Sequence, residues 1–182
     1  DGIAGSGKIL LSGNLRRTAF KADLAGGKVS LKAEGLVGPF ENSLDEQIDH
    51  ILIKGHALNL AEFVPSAPQT DLDFDATIVP SPQKGLALEG SIDLTNSLAA
   101  PADQNGIPVR SILGEFTVGD SGILKVHDVT ATLLEEGALI LGGETDTDKN
   151  TFALEAILKN ASLSDFISQK YDDVFEGSLL LN

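Results

Sequence analysis

Alternation of apolar and polar residues runs through most of this chain, and no other feature limits its fold as tightly. Over residues 71–78 every even position is apolar (Leu72, Phe74, Ala76, Ile78) and every odd one polar (Asp71, Asp73, Asp75, Thr77). Residues 86–94 repeat the pattern, with Leu86, Leu88, Gly90, Ile92 and Leu94 on one side. Similar alternation marks 9–15, 20–24, 29–33, 113–118, 152–158 and 175–181. Successive side chains of a β-strand point to opposite faces, so each segment reads as a strand with one apolar face. Between 124 and 133 the apolar set moves from even positions (Leu124, Val126) to odd ones (Val129, Ala131, Leu133). A slip of one residue at His127–Asp128 predicts a β-bulge or corner. Helical periodicity is confined to two short stretches, 42–49 and 162–169. Turn chemistry at Gly26–Gly27, Pro80–Ser81–Pro82, Asn105–Gly106 and 146–150 separates the strands. The expectation is an all-β protein of about eleven or twelve strands.

Composition narrows the chemistry. The 182 residues carry a formal charge of −14 with no Cys, Met or Trp, and 42% of them are hydrophobic. Without Cys there is no disulfide scaffold, no thiolate zinc site and no thiol nucleophile. An acidic chain without a basic block is a poor ligand for nucleic acid or for anionic lipid through charge alone. Aliphatic content this high offsets chain entropy, which argues against disorder. No apolar run approaches the length of a membrane span. The chain opens without Met on a Gly-rich segment, which reads as an internal fragment whose targeting signal or anchor lies outside it.

Two repeats are visible. The shorter is apolar-polar-Gly-polar-apolar: Leu11 to Leu15, Leu88 to Ile92 and Phe175 to Leu179. Its glycine falls on the apolar face, where a missing side chain permits bending or close approach. In the longer repeat, residues 27–34 resemble 137–144, and Leu60-Ala61-Glu62-Phe63-Val64 resembles Leu163-Ser164-Asp165-Phe166-Ile167. An acidic strand follows each copy. The expectation is one fragment, 1–182, of a longer repetitive β-domain. It holds about one and two-thirds repeats of a little over 100 residues, with 27–83 related to 137–182, and stacks on further copies.

Several motifs imitate chemistry without completing it. Gly2-Ile3-Ala4-Gly5-Ser6-Gly7-Lys8 comes close to a phosphate-binding loop, but Ile9 stands where a Ser or Thr would hold magnesium and a strand follows instead of a helix. It reads better as a flexible entry segment. Asp71, Asp73 and Asp75 lie about 7 Å apart along one strand face. They suit a solvated face better than a calcium site, which needs six or more converging oxygens. Asp146-Thr147-Asp148-Lys149-Asn150 begins like a calcium loop but has Thr151 in place of the required Gly, so a polar hairpin turn is expected. His50, His56 and His127 form no ligand pair, and no nucleophile elbow occurs. The expectation is a protein that is not an enzyme and uses no metal or cofactor.

The apolar faces remain. They fit a sandwich core, and they fit equally an open trough that accepts acyl chains. Periodicity does not separate the two.

The second half resembles a family. The segments that carry the likeness are Gly90-Ser91-Ile92-Asp93-Leu94-Thr95-Asn96, then Gly106-Ile107-Pro108-Val109-Arg110-Ser111-Ile112. Residues 124–133, Gly142-Gly143, and the stretch from Leu154 to Leu163-Ser164-Asp165-Phe166 continue it. Together they are similar to the C-terminal region of TamB-like proteins (the inner-membrane component of the translocation and assembly module), within the wider AsmA-like group. The likeness covers about 56–182, and 1–55 only through the repeat. It implies a long β-sheet curled into a U-shaped trough, a "β-taco", with an apolar interior. It further implies a periplasmic protein of a Gram-negative bacterium, held to the inner membrane by an N-terminal anchor outside this fragment. The implied work is outer-membrane biogenesis beside a TamA-like outer-membrane barrel protein related to BamA. The cargo would be phospholipid or unfolded outer-membrane protein strands.

Under that reading the alternation nominates the trough lining. Leu72, Phe74, Ile78, Leu86, Leu88, Ile92 and Leu94 form its first stretch. Phe116, Val118, Leu124, Val126, Val129 and Leu133 continue it, followed by Phe152, Leu154 and Leu158. The rival from another class is a secreted β-solenoid or adhesin-type module with a dry, closed core. A β-fold hydrolase would need a clustered His, Asp and Ser site.

Overall fold

The computed structural model describes residues 5–14, 16–64, 66–146, 149–170 and 173–181. Its eleven strands form one sheet in the order of the sequence, each antiparallel to the next. They are β1 (Ser6–Gly13), β2 (Thr18–Gly26), β3 (Val29–Val37), β4 (Ile48–Leu58), β5 (Leu72–Pro80) and β6 (Leu86–Asn96). The second half adds β7 (Val109–Gly119), β8 (Ile123–Leu133), β9 (Ala138–Asp146), β10 (Thr151–Ser162) and β11 (Val174–Leu181). The sheet is open, with β1 and β11 at its edges.

Helical structure is limited to connections. One turn, α1 (Leu44–Gln47), precedes β4, and a second, α2 (Leu60–Phe63), follows it. Two 3₁₀ turns cover Ala102–Gln104 and Leu163–Asp165. The expected helix over 42–49 therefore shrinks to α1, because Ile48 and Asp49 already belong to β4. The one over 162–169 shrinks to a 3₁₀ turn capped by Ser162 and Asp165. The Gly-rich start is a correction: Ser6, Gly7 and Lys8 are paired β-strand rather than a loose entry. Residues 2–4 of that motif, and Thr147 and Asp148 of the calcium-loop mimic, lie outside the described residues.

Three of the register shifts between strands hold one residue each in the left-handed region. In β4 the register shifts between Gly55 and Leu58, with Ala57 at φ 53°. In β8 it shifts between Val126 and Val129, with Asp128 at φ 39°, at the slip expected from the sequence. In β10 it shifts between Leu158 and Ala161, with Asn160 at φ 49°. Ala57 and Asn160 stand three residues before Leu60 and Leu163, the starts of the two matching segments of the longer repeat. Strand, bulge, helical turn and strand thus follow one another in the same order in both halves.

Little of the sheet is buried. The buried apolar residues are Ala87, Leu88, Ala131, Leu133 and Ala161, among the described residues. The accessible surface is 11599 Å² for a 19.0 kDa chain. A compact monomer of that mass exposes about 8,400 Å². A single sheet without a second layer accounts for the excess.

The buried polar groups pin the connections at one end of the sheet. Thr70 accepts from Leu60 N at 2.9 Å and donates to Leu58 O at 3.1 Å, tying α2 to the end of β4. Asn96 donates to Val109 O and accepts from Asp71 N and Leu98 N. Asp165, 1% exposed, accepts from Glu135 N at 2.7 Å and Ser162 N at 2.9 Å. Two connections also meet directly. Ala102 N donates to Phe166 O at 2.7 Å, and Ser168 donates to the Asp103 carboxylate through both its N–H and its hydroxyl. The β6–β7 and β10–β11 connections are four strand spacings apart, about 19 Å on a flat sheet. Their contact therefore ties together distant parts of one edge.

Candidate functional site

The pairing register sorts every strand onto two faces. Starting from Phe74 on β5, its partners are Gly55 on β4 and Leu94 on β6. Ile78 lies level with Ile51 and Gly90, and Gly90 in turn with Phe116. Phe116 leads to Val126 on β8, Val126 to Gly143 on β9, and Gly143 to Leu154 on β10. Leu154 meets Leu181 on β11. In the other direction Ile51 meets Gly35, Gly35 meets Phe20, and Phe20 meets Leu11 on β1. One face, Leu11 to Leu181, is apolar across all eleven strands.

Of the residues nominated from sequence, Leu72, Phe74, Ile78, Leu88, Ile92 and Leu94 fall on this face. So do Phe116, Val118, Leu124, Val126, Val129 and Leu133, the last two because the bulge at Asp128 restores their phase. Phe152, Leu154 and Leu158 complete the set on β10. Leu86 does not follow them by register. It pairs with Gly119 across a shift that puts it one step out of phase with Leu88. Leu88 itself is only 5% exposed, so it packs against neighbours and offers little free surface.

The same face holds residues the sequence reading did not nominate. Ile51 and Ile53 belong to it, but the unbroken run Ile51-Leu52-Ile53 hid the period of two. Leu139 and Leu141 on β9, facing Ala131 and Val129, were missed for a similar reason: Leu139-Ile140-Leu141 has no polar spacer. At the margins the face is bare, with Ile9 68%, Leu11 71%, Phe152 51% and Leu179 56% exposed. Near β1–β4, Phe63 of α2 joins Leu24, Leu31 and Leu58 around an apolar recess of about 350 Å³.

Glycines set the relief of this surface. A Cβ on Gly35 would come within 2.7 Å of the Phe20 ring, and Cβ atoms on Gly55 and Gly90 would run into Phe74 and Phe116. Each pair lies level on adjacent strands, so three phenyl rings lie over backbone instead of standing away from the sheet. Of the short-repeat glycines only Gly90 has this role. Gly13 sits at φ 119° beside a turn, and Gly177 has open space around it.

The opposite face carries paired charges, with Leu52, Leu113 and Ile140 among them. Lys21 and Glu34 lie level on β2 and β3 with 2.9 Å between their charged atoms. Lys54 and Asp75 (2.7 Å) and Lys125 and Glu144 (3.4 Å) repeat the arrangement. The hydrogen bond and charge of Glu34 hold the Lys21 ammonium above its usual pKa, and Lys21 holds Glu34 below its own. Asp73 is lowered first by the Ala57 N–H and then by His56, whose Nδ1 is 2.7 Å away. Exposed pairs of this kind contribute little stability individually but keep the face hydrated. Asp71, Asp73 and Asp75 are thus distributed between a serine contact, a bulge and a lysine.

Among the described residues no three His, Asp or Glu side chains gather as a metal site, and no helix is long and apolar enough to cross a membrane. No family model, curated protein or solved structure matches this chain.

Proposed function

We propose that the protein works without catalysis, by offering the apolar sheet face as a shelter for hydrophobic chains in transit. The observation that supports this most is the continuity of the face from Leu11 to Leu181 with so few of its side chains buried. An aliphatic surface desolvates acyl chains at about 25 cal/mol per Å² and needs no particular residue. A sheet curled into a U-shaped trough fits the same observations. The hydrogen bonds joining the 102–103 and 166–168 segments hold two distant connections together, as a curled sheet requires. A secreted solenoid with a dry, closed core fits less well, since an open sheet with five buried apolar side chains among the described residues supplies little core.

Carried further by the TamB-like resemblance, the proposed setting is the periplasm, in a protein anchored to the inner membrane. There it would take part in outer-membrane biogenesis beside a TamA-like barrel. Phospholipid is the cargo the surface suits best, because the face has aliphatic width but no polar row to satisfy a polypeptide backbone. Photocrosslinking from Phe152 in the native cell envelope tests this. Lipid adducts support the proposal; protein adducts alone would transfer it to outer-membrane strands, and no adducts at all would end it.

A further inference from the structure

We propose that the charged face of the sheet is a docking surface for a basic amphipathic helix of a partner protein. The inference does not depend on what the apolar face carries, nor on either edge of the sheet. One row of level residues crosses this face from β5 to β10: Asp75, Asp93, Leu113, Thr130, Ile140 and Ile157. Its first two members are carboxylates, and the rest are aliphatic apart from one threonine. The solvated side of an antiparallel sheet is ordinarily polar, so three aliphatics in one row depart from the pattern. Leu113 departs furthest. It is 55% exposed in the middle of β7, far from any turn.

Shape and charge agree with the row. Asp75, Asp93, Leu113, Glu115 and Thr130 line one recess of about 720 Å³ that spans four strands. Strands β5 and β6 contain no Lys or Arg. Lys54 meets Asp75, His56 meets Asp73, and Ser81 donates to Glu89. Asp93 and Glu115 are exposed and carry no ion pair among the described residues. His127 lies level with Glu115 but is bonded through Nε2 to Thr117. An aliphatic anchor in a concave surface with an acidic rim complements a segment that sets large apolar residues beside Lys or Arg.

The spacing selects a helix. Neighbours in the row stand about 4.8 Å apart, whereas one face of an extended strand repeats only every 7 Å or so. Residues three and four apart on a helix are about 5–6 Å apart, which matches the row more closely. From Asp75 to Ile157 the row covers about 24 Å, the length of a helix of about 16 residues. The basic end of that helix lies over Asp93 and Glu115, and its apolar end over Ile140 and Ile157.

Fluorescence titration of the 182-residue chain tests this with a helical peptide of about 16 residues. The peptide is built of Ala, Leu and Lys, with leucines along one face, lysines at one end and a single Trp. The protein has no Trp, so the signal is the peptide's alone. Saturable binding is expected. Leu113→Ser should weaken it at least about tenfold, and Asp93→Lys at least about fivefold. Both substitutions replace exposed side chains, so the two variants keep the fold. Leu154→Asp, on the opposite face, should bind the peptide as the unaltered chain does, which separates this surface from the apolar one. No binding would overturn the proposal, as would equal binding of a peptide with glutamates in place of its lysines. A loss with Leu154→Asp but none with Leu113→Ser would overturn it as well.

Discussion

Phe116 lies level with Gly90 on the neighbouring strand, and its ring fills the space that a Cβ on that glycine would need. Gly90→Val should force the ring outward and cost about 1–3 kcal/mol. Urea unfolding read by circular dichroism checks this. Gly177→Ala, with open space around it, should change stability by less than about 1 kcal/mol.

Ala57 holds a left-handed conformation that its Cβ disfavours, whereas Asn160 sits in the corresponding bulge of β10 with a residue type that tolerates it. Ala57→Asn should therefore stabilise by about 1 kcal/mol, a rise in Tm of about 2–4 °C for a chain of this size. Asn160→Ala should move Tm the other way. Differential scanning calorimetry of the two variants is the measurement.

Asp165 is the buried anchor of the β10–β11 connection, accepting from Glu135 N and Ser162 N on its two oxygens. Asp165→Ala leaves these donors in a closed site and should destabilise by about 2–4 kcal/mol in denaturant titration. Asp165→Asn restores one acceptor but turns an amide N–H toward the other donor, so it should recover only part of the loss.

Asp103 and Ser168 hold the two distant connections together, and the Ser168 hydroxyl keeps the Asp103 carboxyl below its usual pKa of 3.8. A lowered carboxylate pKa favours the folded tie above the ordinary value and releases it as pH falls through the lowered one. The protection of Ser168 N, its exchange rate relative to that of an open amide at the same pH, should hold from neutral pH to about 4 and drop only below that. Ser168→Ala should bring the loss of protection to higher pH.

Much of the sheet was legible in the sequence because its period is two and most strands keep polar spacers. The face of β5, the bulge at Asp128 and the strand count all follow from that. What was lost followed from its exceptions. Ile51-Leu52-Ile53 and Leu139-Ile140-Leu141 place apolar side chains on both faces, so the period vanishes where β4 and β9 are most hydrophobic. Leu86 kept the period in sequence, while the shift against Gly119 took it off the face. Alternation also says nothing about what lies opposite, so the level pairing of phenyl rings with glycines needed the register. The tie between Asp103 and Ser168 joins residues 65 positions apart, with no local signal in either.

The central claim is that one face of this sheet, and not its general hydrophobicity, carries hydrophobic cargo. Titration with a fluorescent acyl-chain probe tests it most directly, using two substitutions of equal chemistry on opposite faces. Leu154→Asp charges the apolar face, while Leu113→Asp charges the polar one, where Leu113 is already 55% exposed. The account predicts saturable binding that falls at least about tenfold with Leu154→Asp and stays unchanged with Leu113→Asp, both variants remaining folded. Equal losses from the two substitutions, or no binding by the unaltered chain, would contradict it.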